Sequence, residues 1–234
     1  EIYTKMKNKL GLMIAAMVIA GWMEVGFGQN LNEGLVAYYP FNGNANDESG
    51  NGNDGEVNGA TLTADVTGKR DSAFHFDGSS VINIADSDQL GFDIDDSVTF
   101  SIWVNAETAG THIFGKRSGA GQANYQFDIH ENRYFFRGYG FLNGMKSSVK
   151  PELNTWDHVV CTWDGKQSSI YVDGILKEQH SDETSGIIAG LRNRTDLLIG
   201  GSGSVSRFRG LLDNFRIYNR ALSESEVAAL YELE

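Results

Sequence analysis

From Leu35 onward, apolar and polar residues alternate in short runs divided by clusters of Gly, Asn and Asp, the pattern of strands joined by turns. The clearest run is SVTFSIWVNA at 97–106, where Val98, Phe100, Ile102 and Val104 fall on one face and Thr99, Ser101, Trp103 and Asn105 on the other. The same pattern predicts strands at 36–41, 73–76, 81–84, 125–130, 133–139, 158–163, 169–172, 196–199 and 211–218. Asp164-Gly165 and Asp173-Gly174 suit tight hairpin turns, so the strands they join run antiparallel. One helix is expected, at the end of the chain. Ser223 with Glu226 three residues on forms a capping box, Leu222 and Val227 take the staple positions, and Val227, Leu230 and Tyr231 make the apolar stripe.

Composition agrees with an all-β domain: 28 glycines against 2 prolines favour many tight turns, and 41% hydrophobic residues can bury a core. Residues 1–28 stand apart. Lys7 and Lys9 precede the uncharged stretch LGLMIAAMVIAG, and a run rich in small residues ends near Gly28. This is the layout of a secretory signal peptide cleaved between Gly28 and Gln29, and the apolar run is too short for a spanning helix. The mature domain is then 29–234, secreted or held at the cell surface, with no membrane insertion. With Cys161 its only cysteine it has no internal disulfide, and alternation with Val159 and Trp163 makes Cys161 a core residue. Removing 1–28 takes away three Lys and two Glu and leaves 16 basic against 29 acidic side chains, a surface that repels nucleic acid and anionic lipid.

Five segments together resemble bacterial laminin-G-like domains of the concanavalin A-like lectin and glucanase superfamily. They are GLVAYYPFNGNANDESGNGNDG at 34–55, AFHFDGSSVINI at 73–84, SVTFSIWVNA at 97–106, NTWDHVVCTWDGKQSSIYVDG at 154–174, and GLLDNFRIYNRALSESEVAALY at 210–231. Asp157 stands where the family pattern has a second His, and Trp163 where it has Tyr or Phe. The resemblance implies a two-sheet antiparallel jelly-roll β-sandwich with a short C-terminal helix. It also implies a structural Ca2+ ion, whose ligands carry over to Asp213, Asp47, Asn53 and the carbonyls of Asp77 and Gly78. Position parity alone puts Asp213 on the face of Phe215 and Ile217, hence inside, unless a bulge intervenes. A carboxylate there needs a cation or dense hydrogen bonding.

Catalysis is not expected. The paired carboxylates of related glucanases, Glu-x-Asp-x-Glu or Glu-x-Asp-x-x-Glu, are missing, the five histidines are scattered, and no Gly-x-Ser-x-Gly elbow occurs. In FDIHENRYFF, Asp128, His130 and Glu131 read as a solvated edge. Binding remains, to carbohydrate or to an extracellular protein. The candidate sugar platform is Tyr134, Arg137, Tyr139 and Phe141 with Phe136 and Asn143, since aromatic faces stack on pyranose rings while Arg and Asn read hydroxyls.

Overall fold

The structure, a computed structural model, describes residues 30–93, 96–118, 123–138, 145–181, 193–203 and 206–233. The expected signal peptide lies outside them, and Leu31–Glu234 form one compact unit. In chain order the strands are β1 (Leu35–Tyr39), β2 (Gly55–Asn58), β3 (Thr61–Thr63), β4 (Ala73–Asp77), β5 (Val81–Ile84), β6 (Val98–Ala106), β7 (His112–Arg117) and β8 (Ala123–His130). There follow β9 (Arg133–Gly138), β10 (Met145–Lys146), β11 (Trp156–Trp163), β12 (Ser168–Val172), β13 (Ile175–His180), β14 (Leu197–Ile199), β15 (Arg209–Tyr218) and the helix α1 (Glu224–Leu233). They form two antiparallel sheets. The first runs β13-β12-β11-β6-β15-β4-β3 with β1 also on β15, and the second runs β10-β9-β8-β7-β14-β5-β2. This is the expected jelly-roll sandwich.

Alternation builds the core. Val98, Phe100, Ile102 and Val104 of β6 point between the sheets, as do Tyr125, Phe127 and Ile129 of β8 and Tyr134 and Phe136 of β9. Phe100 ties the layers: its ring centroid lies 4.7 Å from Tyr125, 5.3 Å from Phe114 and 5.4 Å from Phe136. Cys161 is buried among them. A second apolar cluster forms on the outside of the first sheet, where Val227 and Leu230 of α1 cover Val160, Tyr171 and Tyr218. The capping box forms as expected, with the Ser223 amide donating to Glu226 Oε2 at 2.8 Å and the Glu226 amide donating to Ser223 Oγ at 3.3 Å.

Strand β7 escaped the alternation reading because a bulge between His112 and Phe114 turns both Ile113 and Phe114 into the core. A second irregularity decides where Asp213 points. Along one edge of β15, β4 pairs with Arg209–Leu212 and β1 takes over from Phe215, and between them Asn214 adopts φ 48°. The register on β6 shifts at the same place. Leu212 and Phe215 therefore both face the core, while Asp213 pairs with Trp103 and shares its outward face, opposite to the parity expectation.

Candidate functional site

In the second sheet, the residues that alternate with the core of β8 and β9 meet on the outward face. Gln126 pairs with Arg137 and Asp128 with Phe135, and on the other side His112 of β7 pairs with Asp128. Outward sandwich positions are ordinarily solvated, yet Gln126 and Asp128 are each 2% exposed. The expectation of a solvated edge at Asp128 is corrected here: β8 is interior to its sheet, with β7 and β9 on either side.

These side chains form one network. Arg137 Nη2 lies 2.5 Å from Asp128 Oδ2, and Gln126 Nε2 donates to Asp128 Oδ1 at 2.5 Å. Gln126 Oε1 accepts from Ser202 Oγ at 3.0 Å and from Arg117 Nη1 at 3.5 Å, which fixes the orientation of the amide. His112 sits at the margin, its Nε2 3.9 Å from Asp128 Oδ1 and its Nδ1 3.4 Å from the Ser202 carbonyl. Gly115 makes the approach possible, because a Cβ there would stand 2.6 Å from Ser202 Oγ and 3.2 Å from Gln126 Cγ. Burial pushes the Asp128 carboxyl up, opposed by His112 and Arg137. Burial pulls His112 down, opposed by Asp128. Beside the network the Phe135 ring lies beneath cations, with the Arg137 guanidinium 5.1 Å and Lys146 Nζ 5.5 Å from its centroid.

One donor is left over. Arg137 Nε is buried and has no acceptor among the described residues. A buried donor without a partner is costly, and Asp128 Oδ2 beside it is likewise without an aligned hydrogen bond, so the Arg137–Asp128 pair is incompletely closed within the protein.

Of the expected platform, Arg137 lies at this site. Tyr134 and Phe136 are corrected: both are 1% exposed and lie on the opposite, core-facing side of β9, and Tyr134 spends its hydroxyl on Asp157 Oδ2 at 2.7 Å. The aromatic on Arg137's face is Phe135, one position along. Tyr139, Phe141 and Asn143 lie outside the described residues. Sequence reading missed Gln126, His112, Arg117 and Ser202, because they come from two strands and a loop and Ser202 lies 76 positions from Gln126. The only signal was the short period-two run Gln126, Asp128, His130.

The five expected calcium ligands do not form one set. Ligands of a single Ca2+ lie within about 5 Å of one another. Asp77 pairs with Arg209 and Phe74 with Leu212, so Asp213 lies level with Ala73, four residues from Asp77. At about 3.3 Å per residue that is about 13 Å. Asp77 instead caps its own turn, accepting from the amides of Ser79 and Ser80 at 2.8 and 2.9 Å, which holds its carboxyl far below the usual range, and Gly78 turns the chain at φ 87°. Asp47 is spent on the loop before β2, accepting from the amides of Tyr38, Ser49 and Asn53 at 2.9, 2.9 and 3.0 Å. Asn53 donates to the Val36 carbonyl at 3.1 Å and accepts from Ser87 Oγ at 2.8 Å. Among the described residues no group of three or more His, Cys, Asp or Glu could hold a metal ion.

A cleft of about 370 Å³ opens beside Val36, Gln89, Phe92 and Asn219. Two of its side-chain amides bond within the protein: Asn51 Nδ2 donates to the Leu35 and Val36 carbonyls, both at 3.0 Å, and Gln89 Oε1 accepts from Asn53 Nδ2 at 3.4 Å. The sheet face, with its unfilled donor, is the better site.

Comparison with known proteins fits this architecture. A family profile described as the concanavalin A-like lectin/glucanases superfamily matches residues 76–228, and the chain belongs to that laminin-G-like family. Among curated proteins, pappalysin-1 of Mus musculus is 27% identical over 75 residues, a match that spans 32% of this chain and 5% of that protein. Among solved structures, the binding domain of Paraclostridial Mosquitocidal Protein 1 superposes with a TM-score of 0.71 at 20% identity, covering 86% of this chain and 52% of that one. Domain 4 of AbnA, an extracellular arabinanase from Geobacillus stearothermophilus, solved with arabinotriose, gives 0.64 at 21% identity over 84% of this chain and 98% of that domain. The binding domain of botulinum neurotoxin DC, solved with rat synaptotagmin II, gives 0.65 at 15% identity over 87% of this chain and 52% of that one. At these identities the structural likeness establishes the fold.

Proposed function

We propose that this chain is an extracellular, non-catalytic module that binds carbohydrate on the outward face of β7, β8 and β9. The carrying observation is the buried Gln126–Asp128–Arg137 network, whose polar groups are held rigidly by one another and whose Arg137 Nε lacks an acceptor. Saccharide hydroxyls both donate and accept, and they match a carboxylate, an oriented amide and a guanidinium placed side by side. Ser202 Oγ donates to the Gln126 amide and not to His112, and the one carboxylate of the network is engaged by Arg137, which favours holding a ligand over transforming it. The arabinotriose in the arabinanase domain supports a saccharide ligand, and the export-like N-terminal stretch supports a location outside the cell. Calcium has no part in this reading.

A glycan array with wild-type chain and Gln126→Ala tests it. The account expects discrete saccharide hits that fall at least tenfold in the variant while its melting curve stays cooperative. A blank array with wild-type chain contradicts the proposal and favours a protein partner, as in the neurotoxin complex with synaptotagmin.

A further inference from the structure

The same face has a charge character opposite to that of the whole chain. Overall, 19 Lys and Arg stand against 31 Asp and Glu. Among the described outward residues of β7–β10 and the turn after β8 the order reverses: Arg117, Arg133, Arg137 and Lys146 stand against Asp128 and Glu131. Lys146 is engaged by Glu131 at 2.7 Å, and Arg133 donates to the Ser147 and Ser148 carbonyls at 3.1 and 3.0 Å. That leaves two guanidinium groups, Arg117 at Gln126 Oε1 and Arg137 at Asp128 Oδ2, with one carboxylate for the two. Asp128 Oδ2 meets Arg137 at Nη2. Arg117 reaches only the neutral Gln126 oxygen, at 3.5 Å. Two planar forks with a single counter-anion have room for another.

We propose that the ligand of this face is an acidic saccharide, whose carboxylate or sulfate group docks between Arg117 and Arg137. This rests on the carbohydrate-binding reading above and specifies its ligand class. The anion gives Arg117 a charged partner and meets the exposed edge of the Arg137 guanidinium, whose side chain is 26% exposed. The sugar ring then lies toward Lys146 and the rim of Phe135, whose cation-covered face keeps the surroundings positive. A neutral saccharide offers the guanidinium groups only hydroxyl oxygens, and the bond between two opposite charges is the stronger kind.

Calorimetric titration of the full chain with three probes separates the cases: a trimer of galacturonic acid, a sulfated chondroitin disaccharide, and neutral arabinotriose. At least one acidic probe is expected to bind about tenfold or more tightly than arabinotriose at low salt. The advantage shrinks several-fold between 0.05 and 0.5 M NaCl. Which acidic probe binds identifies the anion as carboxylate or sulfate. Arg117→Gln, which leaves the Arg137–Asp128 pair in place, is expected to abolish the preference while the melting temperature is held. If Arg137→Gln fails to fold, Lys146→Gln serves as the second variant, with a smaller loss of the same sign. Arabinotriose binding as tightly as the acidic probes, or a preference that survives Arg117→Gln, overturns the acidic ligand and leaves the saccharide site standing. Failure of all three to bind overturns both.

Discussion

Asp213 gives the sharpest physical prediction, because the bulge that turns it outward still leaves it 1% exposed and bonded mainly to the neighbouring Asn214 amide at 2.7 Å. Desolvation holds its carboxyl at about 7, against an ordinary 3.8. The sign follows from proton linkage. The folded state keeps a proton that the unfolded chain releases, so the contribution to stability is complete below pH 3.8 and is lost as pH rises through 7. At about 1.4 kcal/mol per pH unit the ceiling over that window is about 4 kcal/mol. Asp213→Asn removes the ionisation and keeps an oxygen for the Asn214 amide. Half the ceiling, with about 2–4 °C per kcal/mol for a domain of this size, predicts that the variant melts about 4–8 °C above wild type at pH 8. The gap closes by pH 4. Circular dichroism melts of both proteins at the two pH values measure it. A variant that melts below wild type at pH 8 refutes the reasoning. If wild type then loses its advantage in EDTA, the Asp213 carboxylate holds a cation and the calcium expectation returns.

Other consequences are quickly checked. Gly210 has φ 142°, and a Cβ there would stand 2.2 Å from the Asn105 carbonyl of β6, so Gly210→Ala is expected to cost about 3 kcal/mol or more in a urea melt. Tyr231 of α1 stacks on Trp103 and His158 at 5.7 and 6.0 Å, and Tyr231→Ala is expected to lower stability by about 1 kcal/mol while leaving saccharide binding on the other sheet unchanged. Since Asp47 and Asp77 are consumed by backbone amides, excess EDTA is expected to leave the melting temperature of wild type unmoved, and a fall of several degrees contradicts this.

What the sequence revealed depended on the range of the interaction. Capping by Ser223 and Glu226, the turn at Asp173-Gly174 with both φ values positive, and the two faces of β6 are set by neighbours a few positions apart, and all were legible. The outward Asp213 was not, since nothing local distinguishes a regular strand from one bulged where its edge partner changes from β4 to β1. The binding face was half legible. Arg137 was identified, but choosing between Tyr134 and Phe135 required the phase of β9 against the core. Gln126, Ser202 and Arg117 come together only through sheet pairing and loop packing.

The central claim is that saccharide binds the outward face of β7–β9, and chemical-shift mapping locates a ligand directly. Titrating ¹⁵N-labelled chain with the tightest glycan from the array is predicted to shift the backbone amides of His112, Arg117, Gln126, Asp128 and Arg137 together. The amides of Val36, Gln89 and Phe92 at the cleft should remain still. Shifts confined to the cleft, with the sheet face unmoved, would contradict the account.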